Sequence, residues 1–275
     1  MEVARTLNEL HAARARLRGT VALVPTMGAL HDGHATLIRR AAASADHAAL
    51  SIFVNPLQFG PTEDLSRYPR TEEADLATAE AAGCRLAWLP DVTAMYPAGA
   101  VTTIELTGPA ERWEGAARPG HFRGVATVCA KLFGQVRPQI AVFGEKDWQQ
   151  LQVIQRMVAD LHLPLSIDPA PTVREPDGLA LSSRNRFLDP ASRATAPILH
   201  DTLARTAHAL RSIPAEIALA EGRALLAHHG FEVDYLALVD ALTLEPLAAP
   251  RPPSRLIAAA RLGGVRLIDN LPGPS

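Results

Sequence analysis

His31 and His34 lie three residues apart in the segment VPTMGALHDGHATLIRRA, Val24 to Ala41, with Gly28 and Gly33 close by. The apolar run VALVPT, Val21 to Thr26, reads as a buried parallel strand, and a helical pattern runs from about Gly33 to Ala45. Between them Met27-Gly28 make a tight turn. Glycine lets the backbone approach a ligand, and a helix N-terminus offers N–H groups and partial positive charge to a phosphate. Two imidazoles can add donors to the same anion. A bare His-x-x-His pair is equally a surface feature at a helix start. A zinc site would need a third ligand, and none lies nearby at zinc-site spacing.

A second group stands out by composition. Of the 27 basic residues only Lys131 and Lys146 are lysine. In a chain that writes arginine elsewhere, a lysine marks a place where a compact ammonium is needed. Lys146 follows Phe143-Gly144-Glu145, a strand end and turn, whereas Lys131 falls in the middle of a helical run. The string Ser182-Ser183-Arg184 offers hydroxyls and a cation in a loop. Glu72, Glu73 and Asp75 could lend a carboxylate to a metal ion, or could simply be an acidic helix N-terminus.

The elements that must carry these residues alternate. Ala49 to Asn55, Arg85 to Pro90 and Ile140 to Gly144 read as further strands. Helical stretches separate them: TEEADLATAEAAG, VATVCAKLFGQV and WQQLQVIQRMVADL. This alternation predicts βαβ units and a parallel sheet, with ligands beyond the carboxyl ends of the strands. The loops after Thr26, Asn55 and Gly144 then open at one sheet edge. Past about Pro171 an Ala-rich helical segment, roughly Pro190 to His228, precedes three short strands, VDYLALVD, SRLIAAARL and VRLIDNL. The expected organisation is an α/β Rossmann-like domain over residues 1–172 and a smaller α+β domain over 173–275 that closes over the site.

Composition narrows the class. With 27 basic and 29 acidic residues the formal charge is −2, which gives no global field for nucleic acid or an anionic membrane. No stretch reaches the ~20 apolar residues of a membrane span, and the N-terminus does not read as a signal peptide. Cys84 and Cys129 are expected to be buried, reduced thiols in a cytoplasmic protein.

Strand, glycine turn, His-x-Gly-His and helix together resemble the signature of class I nucleotidyltransferases and class I aminoacyl-tRNA synthetases. The longer string resembles the pantothenate synthetase family. So do SIFVNPLQFGPTEDLSRYPRT (Ser51 to Thr71), RPGHFRGVATV (Arg118 to Val128), FGEKDWQQLQVI (Phe143 to Ile154) and LALSSRNRFL (Leu179 to Leu188), in order and spacing. DYLALVD and RLIDN in the tail fit as well. Trp148, where Phe or Tyr is usual, and Ala35, where Leu is usual, depart from the family pattern and look like packing changes.

The resemblance implies a two-step reaction. Pantoate attacks the α-phosphorus of ATP to give pantoyl adenylate and pyrophosphate, and the amine of β-alanine then displaces AMP. It implies ATP against Met27, Gly28, Ala29, Leu30, His31, Asp32, Gly33 and His34, against Gly144, Glu145, Lys146 and Asp147, and against Val173, Leu181, Ser182, Ser183 and Arg184. Gln58 and Gln150 would hold pantoate, with Gln58 near β-alanine and with Asn55 and His121 lining the substrate site. His31, His34, Lys146 and Arg184 would supply positive donors to the transition state. Mg²⁺ is expected with ATP, with Asp75 as one protein carboxylate. Residues 58–71, with Gly60 and Pro61, are expected to shield the adenylate from water. A homodimer is also implied.

Three rivals follow from other readings. A nucleotidyltransferase with a phosphorylated acceptor would carry Arg or Lys in place of the two glutamines. A tRNA synthetase fragment would need a basic surface. A nucleotide-sensing module would need no acid-substrate site.

Overall fold

The computed structural model describes residues 1–60 and 65–274. The chain divides into two compact units, Met1–Glu145 with Gln150–Pro171, and Lys146–Gln149 with Thr172–Ser275.

The first unit is built on six parallel strands, β1 (Glu2–Ala4), β2 (Val21–Thr26), β3 (His47–Ile52), β4 (Cys84–Trp88), β5 (Ile140–Gly144) and β6 (Ser166–Ala170), in the order β1-β4-β3-β2-β5-β6. Helices accompany them: α1 (Leu7–Arg16), α2 (Asp32–Ser44), α3 (Glu72–Ala81), the short α4 (Val92–Met95) and α5 (Glu114–Ala117), α6 (His121–Val136) and α7 (Trp148–Asp160). From β2 the chain proceeds outward to β3 and β4, then returns to place β5 on the other side of β2. Strand order therefore reverses between β2 and β5, and the carboxyl ends at such a switch point are where open α/β sheets bind ligands.

Apolar burial explains the central strands. Val21 through Val24 are fully buried, as are Ala141 and Val142, so these strands read as continuous apolar runs rather than alternating ones. On α2, Ala35, Ile38 and Ala41 sit at helical spacing and pack with Ala22, Val24, Leu50 and Val142. Ala35 fits because a small side chain lets the helix lie close to the sheet. Trp88 at the end of β4 is buried and donates its indole N–H to Gln135 of α6 at 3.0 Å.

The second unit holds an antiparallel sheet of β7 (Glu232–Asp240), β8 (Ser254–Leu262) and β9 (Val265–Pro272), with β8 central. The Ala-rich helical segment holds three helices: α8 (Pro190–Thr195), α9 (Ile198–Ala209) and α10 (Ala215–His228). Pro197 and Pro214 precede the last two, each lacking the N–H that would continue a helix through it. Leu199, Leu203, Ala218 and Leu226 pack on Leu236, Leu238, Leu256 and Leu267 to form a separate core. Asp269 is buried in this unit and bonded by both Arg174 terminal nitrogens, at 2.7 and 2.9 Å. Burial pushes its carboxyl up, but His200 and the Arg174 guanidinium outweigh this and hold it below the usual range.

Both cysteines are free and buried, and burial pushes their thiols up, Cys84 to about 11 and Cys129 to about 12. Among the described residues no helix is long and apolar enough to cross a membrane.

Candidate active site

The turn after β2 is held by a carboxylate. Gly28 (φ 82°) and Ala29 (φ 52°) are both left-handed, which turns successive amides toward one point. There the Asp75 carboxylate accepts from the N–H of Ala29 at 2.9 Å, the N–H of Leu30 at 2.7 Å and the Thr71 hydroxyl at 3.1 Å. A Cβ at position 28 would lie 2.9 Å from Asp75 Oδ2, so glycine is required by space as well as by φ. Left-handed backbone at an alanine costs about 1–2 kcal/mol, and the buried carboxylate offsets it. Asp75 is 2% exposed. It stands in the first turn of α3 with Glu72 and Glu73, as the acidic helix start expected, and its oxygens are engaged by the loop. The amides of Ala29 and Leu30, within the stretch expected against ATP, face Asp75.

His31 caps α2 in a way that fixes both imidazoles. His31 Nδ1 accepts from the N–H of Gly33 at 3.1 Å, and His34 Nδ1 accepts from the N–H of His31 at 3.3 Å. The arrangement is a capping box with two rings in the roles usually taken by a hydroxyl and a carboxylate. A neutral imidazole whose Nδ1 accepts carries its proton on Nε2. Each ring is therefore an Nε2–H donor, and the rings lie 4.1 Å apart at their centroids. The three-residue spacing is what makes the reciprocal cap possible.

Gln58 sits in the one-turn helix Pro56–Gln58 after β3, packed on α6. Asn55 is 1% exposed, and its side chain makes four hydrogen bonds. Its Oδ1 accepts from the N–H of Leu57 at 3.3 Å and from the Tyr96 hydroxyl at 2.8 Å. Its Nδ2 donates to the Gly124 carbonyl at 3.1 Å and to Gln58 Oε1 at 3.0 Å. Gln58 Nε2 is 3.1 Å from Met27 Sδ, which links this turn to the loop after β2. His121 Nδ1 is 2.9 Å and Arg118 Nη2 3.4 Å from the Gln58 carbonyl, and Arg118 Nη1 is 3.0 Å from His121 Nε2. A carbonyl can only accept, so His121 donates through Nδ1 and accepts through Nε2. Asn55 and His121 are thus buried supports of Gln58. Gly124 allows the close fit, since a Cβ there would lie 2.3 Å from the Leu57 carbonyl oxygen.

Gln150 is partly exposed in the first turn of α7, beside buried Gln149 and Gln152. Residues 61–64, which include Pro61 of the expected shield, lie outside the described residues. The part that follows contains a single turn, Leu65–Arg67, and buried Tyr68.

At the end of β5, Gly144 and Glu145 belong to the first unit, while Lys146, Asp147, Trp148 and Gln149 are counted with the second. There the Lys146 carbonyl accepts from Asn270 Nδ2 at 2.9 Å, and Asn270 Oδ1 accepts from Arg255 at 2.6 Å. The Arg255 guanidinium stacks 3.4 Å over the Trp148 ring, whose indole N–H donates to the Ala241 carbonyl at 2.8 Å. That last bond gives Trp148 a role no phenylalanine could fill. The Lys146 ammonium is 3.7 Å from the Asp147 carboxylate.

In the same unit Val173 accepts from the N–H of Leu181 at 3.0 Å across a tight hairpin. This delivers Ser182, which caps the turn Ser183–Phe187 by accepting from the N–H of Arg184 at 3.2 Å.

Residues 2–272 match the family model described as pantoate-beta-alanine ligase. The chain belongs to the pantoate-beta-alanine ligase family. Pantothenate synthetase from Acidiphilium cryptum is 59% identical over 98% of this chain and 99% of its own length, and that from Granulibacter bethesdensis is 57% identical over 98% and 96%. Among solved structures, pantothenate synthetase from Thermus thermophilus superposes with a TM-score of 0.95 at 48% identity, covering all of both chains. A pantoate-beta-alanine ligase from Francisella tularensis, solved complexed with beta-gamma ATP and beta-alanine, gives 0.84 at 32% identity, again over all of both chains.

For a pantoate-beta-alanine ligase of this sequence, the structure gathers the expected residues into three groups. Met27 through His34 form one, Gln58 with Asn55 and His121 a second joined to it through Met27, and Val173 with Leu181 through Arg184 a third. Sequence reasoning missed Tyr96 and Gly124, and gave Lys131 no place in the site. The Lys131 ammonium lies 5.6 Å from the centre of the Tyr96 ring. Gly124 falls in the first turn of α6, ahead of the helical stretch legible in sequence, which gave no signal of its close fit.

Proposed function

We propose that this pantoate-beta-alanine ligase uses ATP to condense pantoate with β-alanine through a pantoyl adenylate. In the first step a pantoate carboxylate oxygen bonds to the α-phosphorus and the bond to the leaving pyrophosphate breaks. In the second the neutral amine of β-alanine attacks the acyl carbon, AMP leaves with the bonding pair, and the amine loses a proton. Neither step needs a protein nucleophile. Both need fixed donors where negative charge gathers.

The observation that carries this reading is the paired imidazole cap. Two Nε2–H donors at the N-terminus of α2, at the switch point of the sheet, suit the oxygens of a nucleotide phosphate. They are already oriented by backbone, so little reorganisation is required when charge develops. Gln58, tied to the same loop through Met27, suits the acid substrate: its Oε1 is engaged by Asn55, so it acts as an N–H donor. A neutral donor orients a carboxylate without quenching its nucleophilicity as an arginine clamp would. Lys146 and Arg184 would add positive charge for the departing pyrophosphate, and Gln150 a second neutral contact to pantoate.

ATP is expected with Mg²⁺. Among the described residues no group of three or more His, Cys, Asp and Glu side chains is disposed to hold a metal. Mg²⁺ with nucleotides is held chiefly by phosphate oxygens and water, and that is the arrangement expected here. Free buried thiols suit a cytoplasmic setting, and family likeness supports a homodimer.

The test is isotope exchange between pyrophosphate and ATP with pantoate and without β-alanine. Exchange under these conditions is the expected result. Exchange that begins only when the amine is added would overturn the adenylate.

A further inference from the structure

We propose that Tyr96 is a positioning residue that fixes the Gln58 side chain as a hydrogen-bond donor to the acid substrate, acting through Asn55; this rests on the assignment of Gln58 to pantoate. Tyr96 lies just after α4 in a loop that carries no recognisable motif.

The orientation of the Asn55 amide is fixed by its backbone neighbours. An amide side chain has two lone pairs and two N–H hydrogens. Leu57 presents a backbone N–H to one end of Asn55, at 3.3 Å, and can only donate. Gly124 presents a carbonyl to the other end, at 3.1 Å, and can only accept. These two backbone groups settle the amide orientation, so the end facing Gln58 is Nδ2, and Gln58 must answer with Oε1 at 3.0 Å. The Gln58 Nε2 hydrogens are then the ones available on its other side, where Met27 Sδ lies at 3.1 Å.

Tyr96 supplies the fourth and last bond. Its hydroxyl, 2.8 Å from Asn55 Oδ1, must donate, because both Asn55 hydrogens are committed elsewhere. Burial pushes the phenol well above its usual range, so the donor proton is retained at any working pH. The ring is held from two sides, by Phe53 at 6.1 Å between centroids and by the Lys131 ammonium at 5.6 Å. Asn55 is 1% exposed, so water cannot replace a lost partner. Without the hydroxyl, Oδ1 keeps only the long bond from Leu57, and the amide that orients Gln58 loses its tightest restraint. Buried networks of this kind act as units when every member is satisfied.

The test is Tyr96→Phe, which removes one oxygen and leaves the ring. In pantoate-dependent pyrophosphate exchange the KM for pantoate should rise about 3- to 10-fold, the range for one neutral hydrogen bond, with the KM for ATP unchanged. In a Gln58→Ala background the same substitution should add nothing, because the two residues act in series. Equal losses in both backgrounds, or a parallel rise in both KM values, would overturn the proposal, as would an unchanged pantoate KM. A readout without activity separates this from the function itself. The side-chain ¹⁵NH₂ signals of Gln58, identified by their loss in Gln58→Ala, should move in Tyr96→Phe. If the wild-type enzyme shows no pantoate-dependent exchange yet these signals move, the assignment of substrate fails and the relay stands. If they stay fixed, the relay fails whatever the substrate.

Discussion

Asn270 donates a side-chain hydrogen bond to the backbone carbonyl of Lys146 at 2.9 Å, across 124 positions of sequence. The lysine's main chain is thereby fastened independently of its side chain. Lys146→Ala should keep its fold and lower single-turnover adenylation by about 10²–10³-fold, as for losing one preorganised donor. Lys146→Arg should be nearly as slow, since a planar guanidinium does not reproduce a point charge. Rates measured beside melting curves decide it: near-normal turnover in Lys146→Arg would reduce the residue to a general positive charge.

Gly124→Ala should disturb the Gln58 turn. The new Cβ would meet the Leu57 carbonyl at 2.3 Å and the Gln58 nitrogen at 2.6 Å, both backbone atoms that cannot swing aside. Overpacking of this kind costs roughly 1–3 kcal/mol. The pantoate KM should rise while that for ATP changes little, and steady-state kinetics with each substrate varied in turn would reveal the asymmetry.

Asp75→Asn places an amide hydrogen against backbone N–H groups of Ala29 and Leu30. A lost acceptor at a buried site costs about 1–3 kcal/mol, so the melting temperature should fall and adenylation should slow because the His31–His34 cap is reached through this loop. A Mg²⁺ titration distinguishes this from a metal-ligand role. Rates that stay low at saturating Mg²⁺ are expected, whereas full recovery would return Asp75 to the metal.

Asp269 links stability to pH. Its folded-state value is depressed below 3.8, so its contribution is complete above about that pH and is lost as pH falls through the lower folded value. Asp269→Asn should cost roughly 3 kcal/mol near neutrality by stranding Arg174. Denaturant melts between pH 3 and 6 should show the gap to wild type narrowing only below about pH 4. A gap already closed at pH 6 would remove Asp269 as the cause.

The parts of this molecule legible in sequence are those where burial writes a continuous signal. Val21–Thr26 and Ile140–Gly144 are recovered to the residue because both strands are apolar throughout and end at sharp turns. Glu2–Ala4 is too short to show any pattern, and Ser166–Ala170 contains Asp168 and Pro169. Both are edge strands, where proline is tolerated because one side of the strand has no ladder partner. Site residues divide in the same way. His31, His34 and Gln58 stand in strings whose likeness to a family is readable. Tyr96 does not, because its role depends on Asn55, 41 residues away, meeting it in space. Asp75 was visible only as one acid among three, and the distinction from Glu72 and Glu73 lies in burial, which spacing does not report.

The path of the backbone bears on how this enzyme can be taken apart. The chain passes from one unit to the other after Glu145, back after Gln149, and across again after Pro171. No single cut therefore yields two self-contained pieces. A fragment ending at Pro171 would carry Lys146 to Gln149 but leave behind Asn270, Arg255 and the Ala241 carbonyl, the groups that seat them. Recombining separately expressed halves would restore the lysine's setting only if the short insert finds its sheet in the other polypeptide. Complementation between halves, or a circular permutation that keeps 146–149 and 172–274 in one piece, would have to respect that weave.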